Sequence, residues 1–439
     1  MTTLDQRAPI LPGAKIGLLG GGQLGRMFVQ AATQAGYQVT VLAPSLDEPA
    51  AQIAHEVVVA DYDDLDQVER LARSVDVITT EFENVPADSL ERAEAIVPVR
   101  PSSRVFAVAQ DREVEKRTLS ELGLPVAPYA VIRRAEDLLG AVESVGTPAI
   151  LKRATAGYDG HGQRAIHTAD AIESAWEELG AVRAILERRI DFDAEISMLG
   201  VRGADGQIAT YEPVLNHHHN HVLDAVHAEA QRVTTAILEG LHVVGVVCVE
   251  FFLCPDGALM VNEIAPRPHN SGHLTIEAHV CNQFQQQVRS VCGMPLGSTS
   301  RKVPAVAMAN LLGDLWAGGT PNWVAAHDNP EVQVHVYGKS VPSSCRKMGH
   351  ITATSSSVRE AEMLVREARD RAGRRTKQRT SPSMTTTRLR AATDSSSSVR
   401  RLYRGSGLST RHSRINRTKS PTLRWPSIGC LRGLSRCNA

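Results

Sequence analysis

Two apolar runs facing each other across a turn constrain this chain more than any other feature. Val243-Val-Gly-Val-Val-Cys-Val249 leads into Glu250, a second run ends in Met260-Val-Asn-Glu263, and Pro255-Asp-Gly257 lies between them. That pattern predicts a hairpin with one carboxylate on each strand. Glu250, Glu263 and the amide oxygen of Asn262 would form a hard oxygen site, suited to Mg²⁺ carrying nucleotide phosphates. The alternative is a solvated hairpin with ordinary charges. The continuation Arg267-Pro-His-Asn-Ser-Gly-His273 weighs against it, because few solvated hairpins end in such a polar cluster.

The length of 439 residues suits two to four domains with ample core. There is no run of 18 apolar residues, and the polar, Pro-containing stretch Met1–Gly13 is no signal peptide, so a cytoplasmic chain without membrane contact is expected. Cys248, Cys254, Cys281 and Cys292 lack paired C-x-x-C spacing and read as reduced core thiols. Beyond residue 370 lie 17 of the 48 Lys/Arg and one of the 48 Asp/Glu, which leaves 31 bases against 47 acids in the body. An acidic body argues against nucleic acid as its partner. Residues 374–439 lose all periodicity and turn Ser/Thr/Arg-rich, which predicts disorder or a frame-shifted read-through; a basic tail could also bind RNA.

Along the body, strands at Lys15–Leu19, Gln38–Leu42, Glu56–Val59 and Asp76–Thr79 alternate with helical patterns such as Leu24–Ala35. This predicts an N-terminal parallel α/β domain over 13–110. A charged helix is expected over Asp111–Leu122, then a smaller α+β lid over about 126–200 within a domain spanning 111–300. Helices follow at about 227–240 and 275–292, then a β-rich C-terminal domain over 301–373. That domain closes with a helix from Ser357, where Glu360 suggests a capping box.

Two Gly-rich loops suggest phosphate. Gly20-Gly-Gly-Gln-Leu-Gly25 stands between a strand and a helix, a context for an anion at backbone N–H groups or for a purely structural turn. The second strand ends Val41-Leu-Ala-Pro44 without the acid a dinucleotide fold requires, which disfavours NAD. Lys152 ends a strand before Gly157-Tyr-Asp-Gly-His-Gly-Gln163, where close backbone approach and an ammonium suit phosphate capture. Lys116 could be a second nucleotide cation or a solvated helix lysine. Glu187 could accept from ribose hydroxyls or be a surface acid beside Arg188 and Arg189. His217-His-His219 and His221 do not suggest zinc, because consecutive residues of a strand face opposite sides.

Taken in order, the Gly-rich turn, Lys116, Lys152 with its loop, Glu187, Glu250 and Asn262-Glu263 resemble the ATP-grasp superfamily. The words Gly20–Met27, Glu81-Phe-Glu-Asn-Val85, Gly157-Tyr-Asp-Gly160, Asn262–Arg267 and His269–His273 resemble the N5-carboxyaminoimidazole ribonucleotide synthase family, from about Lys15 to His350. The resemblance implies an ATP-grasp fold of mixed α/β and α+β class, with an N-terminal parallel domain, a lid and a small C-terminal domain. It implies ATP, bicarbonate and 5-aminoimidazole ribonucleotide as substrates, Mg²⁺ on Glu250 and Glu263, and a homodimer.

By the same resemblance, Arg112, Lys116, Lys152, Gly157, Tyr158, Asp159, Gly160, His161, Gly162 and Gln163 would serve ATP. So would Glu187, Arg188, Arg189, Ile190, Glu195, His218, Asn262 and Glu263. Arg267, His269 and Asn270 would hold bicarbonate or carboxyphosphate, with Asp159 and Glu81 meeting the aminoimidazole. Gly22, Gln23, Leu24, Asn270, Lys339, Arg346 and Lys347 would contact the ribonucleotide. The rival readings are a formate-using glycinamide ribonucleotide transformylase and a nucleotide-binding module without turnover.

Two departures from the family pattern stand out. His161 replaces the loop's usual arginine and supplies less charge. Lys339-Ser-Val-Pro-Ser-Ser-Cys-Arg346 carries one residue too many and lacks Arg-Pro-Gly, as a short frame-shifted window would. It is expected to put Lys339 and Arg346 out of register for the substrate phosphate.

Overall fold

A computed structural model describes residues 8–155, 162–215 and 224–374. The N-terminal elements are β1 (Lys15–Leu19), α1 (Gln23–Gln34), β2 (Gln38–Ala43), β3 (Glu56–Val59), α2 (Leu65–Ser74) and β4 (Val77–Thr80). They form a parallel sheet in the order β3-β2-β1-β4. Past the exposed Lys15, strand β1 is apolar, and it and β4 (Val-Ile-Thr-Thr) are buried on both faces, as a doubly covered parallel sheet requires. Helices α3 (Ala87–Glu94), α4 (Ser103–Ala109) and α5 (Arg112–Glu121) lead to the next domain. The side chain of Asp111 caps α5 by accepting from the N–H groups of Glu113 and Val114.

A small sheet follows, built from β5 (Tyr129–Ile132), α6 (Asp137–Val145), β6 (Ala149–Arg153), β7 (Gln163–Ile166), α7 (Ile172–Glu178) and β8 (Ala184–Arg188). Its order is β5-β8-β6-β7, with its own apolar core under the two helices. The larger sheet holds β9 (Ala194–Arg202), β10 (Ile208–Thr210), β11 (Val214–Leu215), β12 (Gly245–Leu253) and β13 (Leu259–Ala265), with α8 (Asp224–Gly240) packed on it. Residues 194–200, grouped with the lid on sequence grounds, therefore belong elsewhere: β9 pairs along its whole length with β12.

The helix expected over 275–292 is broken into α9 (Thr275–Ala278) and α10 (Gln283–Val291). Between them the chain extends, and Val280 N–H and Cys281 N–H donate to Ser300 and Ser298 carbonyls. Asn282 then restarts the helix with a full capping box to Gln285. The C-terminal elements are β14 (Ala305–Leu312), α11 (Trp323–Ala326), β15 (Val332–Val336), β16 (Lys347–Ser355) and α12 (Val358–Gly373), with strand order β14-β16-β15. Only half of the α12 capping box forms: Ser357 accepts from Glu360 N–H, but the Glu360 carboxylate takes the hydroxyls of Ser355 and Ser356 instead.

Cys248, Cys254, Cys281 and Cys292 are free and buried, as expected. Among the described residues no helix is long and apolar enough to cross a membrane. Gly200 lets α8 settle on β9, since a Cβ there would lie 2.6 Å from Thr234 Cγ2 and 2.8 Å from Leu238 Cδ1. Gly200→Ala should therefore destabilise the fold by about 1–3 kcal/mol, read as a lower denaturation midpoint in urea.

Candidate active site

Register places the two hairpin acids together. Glu250 on β12 pairs directly with Glu263 on β13, and the register then shifts, so that Phe251 pairs with Val261. Asn262 is the extra residue of this bulge, which allows Asn262 and Glu263 both to stand half-buried on the same side. Burial raises the Glu250 carboxyl, and the neighbouring Glu263 and Glu195 raise it further, to about 8. Two cationic or polar side chains answer these acids. Arg112 Nη1 lies 3.2 Å from Glu263 Oε2, and His269 Nε2 lies 3.1 Å from Glu250 Oε1. A close, half-buried carboxylate pair with an amide oxygen alongside fits a hard divalent cation. Among the described residues no cluster of three or more His, Cys, Asp or Glu converges on one point.

Below the hairpin three charged groups are almost wholly buried: Lys116 is 1% exposed, Glu187 4% and Lys152 8%. Lys116 Nζ lies 2.9 Å from Glu187 and 2.8 Å from the Asn262 carbonyl, and Lys152 pairs with the other Glu187 oxygen. Burial acts to raise the Glu187 carboxyl, but the two ammonium groups outweigh it and bring it down to about 2. Of the two sequence readings of Glu187, the surface acid does not hold: it is buried, with its carboxylate between the two lysines. Lys116 is likewise no solvated helix lysine.

A cavity of about 520 Å³ opens beside this triad, lined by Lys152, Gln163, Arg189, Ile190, Glu195 and Asn262 together with Ile150, Asp191, Phe192 and Phe252. Phe192 stacks on Phe252 with ring centroids 4.7 Å apart. Arg188 is exposed at the end of β8 and is not part of this lining. Gly162 adopts a left-handed φ of +81° and accepts from Arg153 N–H. Gly157, Tyr158, Asp159, Gly160, His161 and His218 lie outside the described residues.

The polar segment after β13 meets the hairpin from the other side. Arg267 Nε donates to Glu83, and Nη1 donates to the Pro268 carbonyl at 3.1 Å. Burial, then the charges of Arg267 and Lys347, hold His269 down to about 3, so its ring is neutral. Ser271 N–H donates to His269 Nδ1, which assigns the ring proton to Nε2, facing Glu250. Asn270 Oδ1 is buried without a partner among the described residues, which leaves one unsatisfied acceptor in this segment. Gln283 grips His269 by both its N–H and its carbonyl, each at 2.8 Å, and also contacts His273. His273 itself is fully buried, stacked on His350, and belongs to the domain contact rather than to the site.

In the first Gly-rich turn the geometry matches the structural-turn reading rather than the ribose-phosphate one. Its N–H groups at Gly22 and Gly25 donate to the Glu81 carboxylate at 2.9 and 3.1 Å, so a side chain fills the position expected for a ribose phosphate. A Cβ at Gly20 or Gly22 would lie 2.2 or 2.4 Å from Glu81, which explains the glycines. The Leu24 side chain is buried in the core, leaving only its backbone for a ligand. Lys339 Nζ donates to Gln23 Oε1 at 2.6 Å. Burial, and next the charge of Arg346, lower the Lys339 ammonium to about 8. In the 340–345 segment Cys345 adopts φ +63°, Lys347 then begins β16, and Lys339 contacts Gln23 at the start of α1. Arg346 Nη1 folds back onto the Val341 carbonyl.

Sequence reasoning missed Glu83, Glu115 and Gln283. Glu83 shares the Glu81-Phe-Glu word, a signal that was available. Buried Glu115 accepts from Ile264 N–H and is raised to about 7, chiefly by burial. Nothing local marks Glu115 or Gln283.

Three family models match in succession: a ribonucleotide synthetase preATP-grasp domain over 13–110, an ATP-grasp domain over 117–284, and a phosphoribosylaminoimidazole carboxylase C-terminal domain over 306–363. The N5-carboxyaminoimidazole ribonucleotide synthase of Bacillus subtilis is 38% identical over 357 residues, which cover 78% of this chain and 92% of that one. The chain belongs to the N5-carboxyaminoimidazole ribonucleotide synthase family. The Pseudomonas aeruginosa synthase is 40% identical, covering 77% of this chain and 94% of its own. A crystal structure of the Aspergillus clavatus synthase in complex with ADP and 5-aminoimidazole ribonucleotide superposes with a TM-score of 0.74 at 30% identity, covering 82% of this chain and 98% of that one.

Glu250 carries a stability signature that tests the carboxylate pair. A carboxyl raised from 4.5 to about 8 on folding contributes stability that is complete below 4.5 and is lost as pH climbs through about 8. Glu250→Gln, which cannot ionise, should gain on the natural chain between about pH 6 and about pH 9, by on the order of 1 kcal/mol. A Tm difference that stays flat across that range would contradict the pairing.

Proposed function

We propose that the chain carboxylates 5-aminoimidazole ribonucleotide with bicarbonate at the expense of ATP, giving the N5-carbamate, ADP and phosphate in purine biosynthesis. One observation carries the reading. Glu250, the acid suited to the metal of the nucleotide, is 3.1 Å from His269 of the Arg267–Asn270 segment. A nucleotide phosphate and the small acid it activates would thus be neighbours, as formation of carboxyphosphate from bicarbonate requires.

Glu250 and Glu263 would hold Mg²⁺, with Asn262 alongside; the ion would neutralise phosphate charge. Lys116, Glu187 and Lys152 together carry one net positive charge, and Lys152 brings it to the wall of the cavity. Phosphoryl transfer needs mostly positioning and charge neutralisation, and this rigid triad supplies both. Arg267 and the Asn270 amide would orient bicarbonate and then carboxyphosphate, while neutral His269 contributes hydrogen bonds rather than charge. Glu81, Gln23, Lys339, Arg346 and Lys347 would receive the ribonucleotide, whose exocyclic amine then takes the carboxyl group. Asp159 and the 157–163 loop would close over the phosphates and exclude water from the labile intermediate. A cytoplasmic homodimer is supported by the family resemblance.

The test is phosphate release from ATP, which should require both bicarbonate and 5-aminoimidazole ribonucleotide and should not appear with formate plus glycinamide ribonucleotide. Glu263→Ala should abolish this turnover; near-normal kcat would refute the metal assignment. The Lys339 ammonium, lowered to about 8, loses its charge as pH rises through that value. KM for the ribonucleotide should therefore rise above about pH 8, and Lys339→Arg should keep it flat to about pH 9. A KM for the natural chain that does not change with pH would remove Lys339 from the phosphate site.

A further inference from the structure

The word Glu81-Phe-Glu-Asn-Val85 follows β4 and sends its two acids to different places. Glu81 enters the Gly-rich turn, whereas Glu83 reaches a residue 184 positions away, Arg267. We propose that Glu83 is a positioning residue for carboxylation: by gripping Arg267 Nε it sets the plane in which the guanidinium meets bicarbonate and carboxyphosphate. This rests on the proposed role of Arg267 as the group that holds those anions.

The geometry supports it from both ends of the pair. Arg267 stands between Pro266 and Pro268, and its N–H donates to the Ala265 carbonyl at 2.8 Å, so its backbone has little freedom. The side chain is the remaining variable. A guanidinium is a rigid fork, so fixing Nε fixes the direction of the other donors. Nε goes to Glu83 and Nη1 to the Pro268 carbonyl, while no described residue accepts from Nη2. That leaves one edge of the fork for an oxyanion. Glu83 is itself anchored, because Gln110 Nε2 donates to both the Glu83 and Val85 carbonyls at 2.6 Å. Burial acts to raise the Glu83 carboxyl, but Arg267 brings it down to about 2, so the pair stays ionised across the neutral range. Without Glu83, Arg267 would be drawn towards Glu81, whose charge also acts on it. One short loop thus sets both the ribonucleotide turn, through Glu81, and the acid-activating arginine, through Glu83.

The experiment compares Glu83→Gln and Glu83→Ala in the full chain, with bicarbonate, ATP and ribonucleotide varied in turn. The expected result is a fall in kcat/KM for bicarbonate of about 10-fold for the glutamine and about 100-fold for the alanine variant, with KM for ATP within about twofold. Combining Glu83→Gln with Arg267→Lys should cost no more than Arg267→Lys alone, since the two act as a unit. A merely structural role would lower Tm and affect all three substrates alike, and that outcome overturns the proposal. So does unchanged bicarbonate dependence in the isosteric Glu83→Gln, which decides the matter if the alanine variant fails to fold. If Arg267→Lys alone behaves as the natural chain, the reading of Arg267 has failed. If Arg267→Lys is impaired and Glu83→Gln is not, only the inference about Glu83 has failed.

Discussion

Three buried charges organise this molecule. Lys116 from α5, Lys152 from β6 and Glu187 from β8 meet with almost no access to water, and Lys116 also reaches the Asn262 carbonyl on β13. Each ion taken from water alone costs several kcal/mol, so none can be buried without the others. The lid strands, the linking helix and the β12–β13 hairpin therefore have one arrangement that satisfies all three groups. The cavity proposed for the nucleotide is the space beside that arrangement, lined by Lys152 of the triad and by Asn262, whose carbonyl accepts from Lys116.

The same region concentrates acids. Glu115, Glu195, Glu250 and Glu263 act on one another, against Arg112 and the neutral ring of His269. A chain selected for stability alone would not gather them. The raised carboxyl of Glu250 is the visible cost of gathering them, and the cation proposed for this pair would restore the balance. Stability is supplied elsewhere, by the doubly covered parallel sheet, by the core beneath α8 and by the lid's own core.

Function then depends on contacts that cross domain boundaries. Glu83 reaches Arg267, Lys339 reaches Gln23, and His335 of β15 pairs with Glu277 of α9 at 2.7 Å. His350 of β16 lies stacked between His273 and His335. The residues proposed for the ribonucleotide and for the activated acid come from four separate stretches of chain, held in place by side-chain pairs rather than by continuous strands.

Whatever depends on local pattern could be read directly from the chain. Alternating strands and helices marked the parallel domain, and the Pro-Asp-Gly turn between two apolar runs marked a hairpin with one carboxylate on each strand; the bulge that brings Glu263, rather than Asn262, opposite Glu250 was not legible from turn and periodicity. Specific words identified the family and hence the reaction. The break between α9 and α10 was hidden because the pull comes from Ser298 and Ser300, beyond the helix. The burial of Glu187 between two lysines, the filling of the Gly-rich turn by Glu81, and the grip of Glu83 and Gln283 were hidden for the same reason. Each depends on a partner distant in sequence, and the electrostatic environment of a buried group is set by what packs against it, which only the tertiary fold decides.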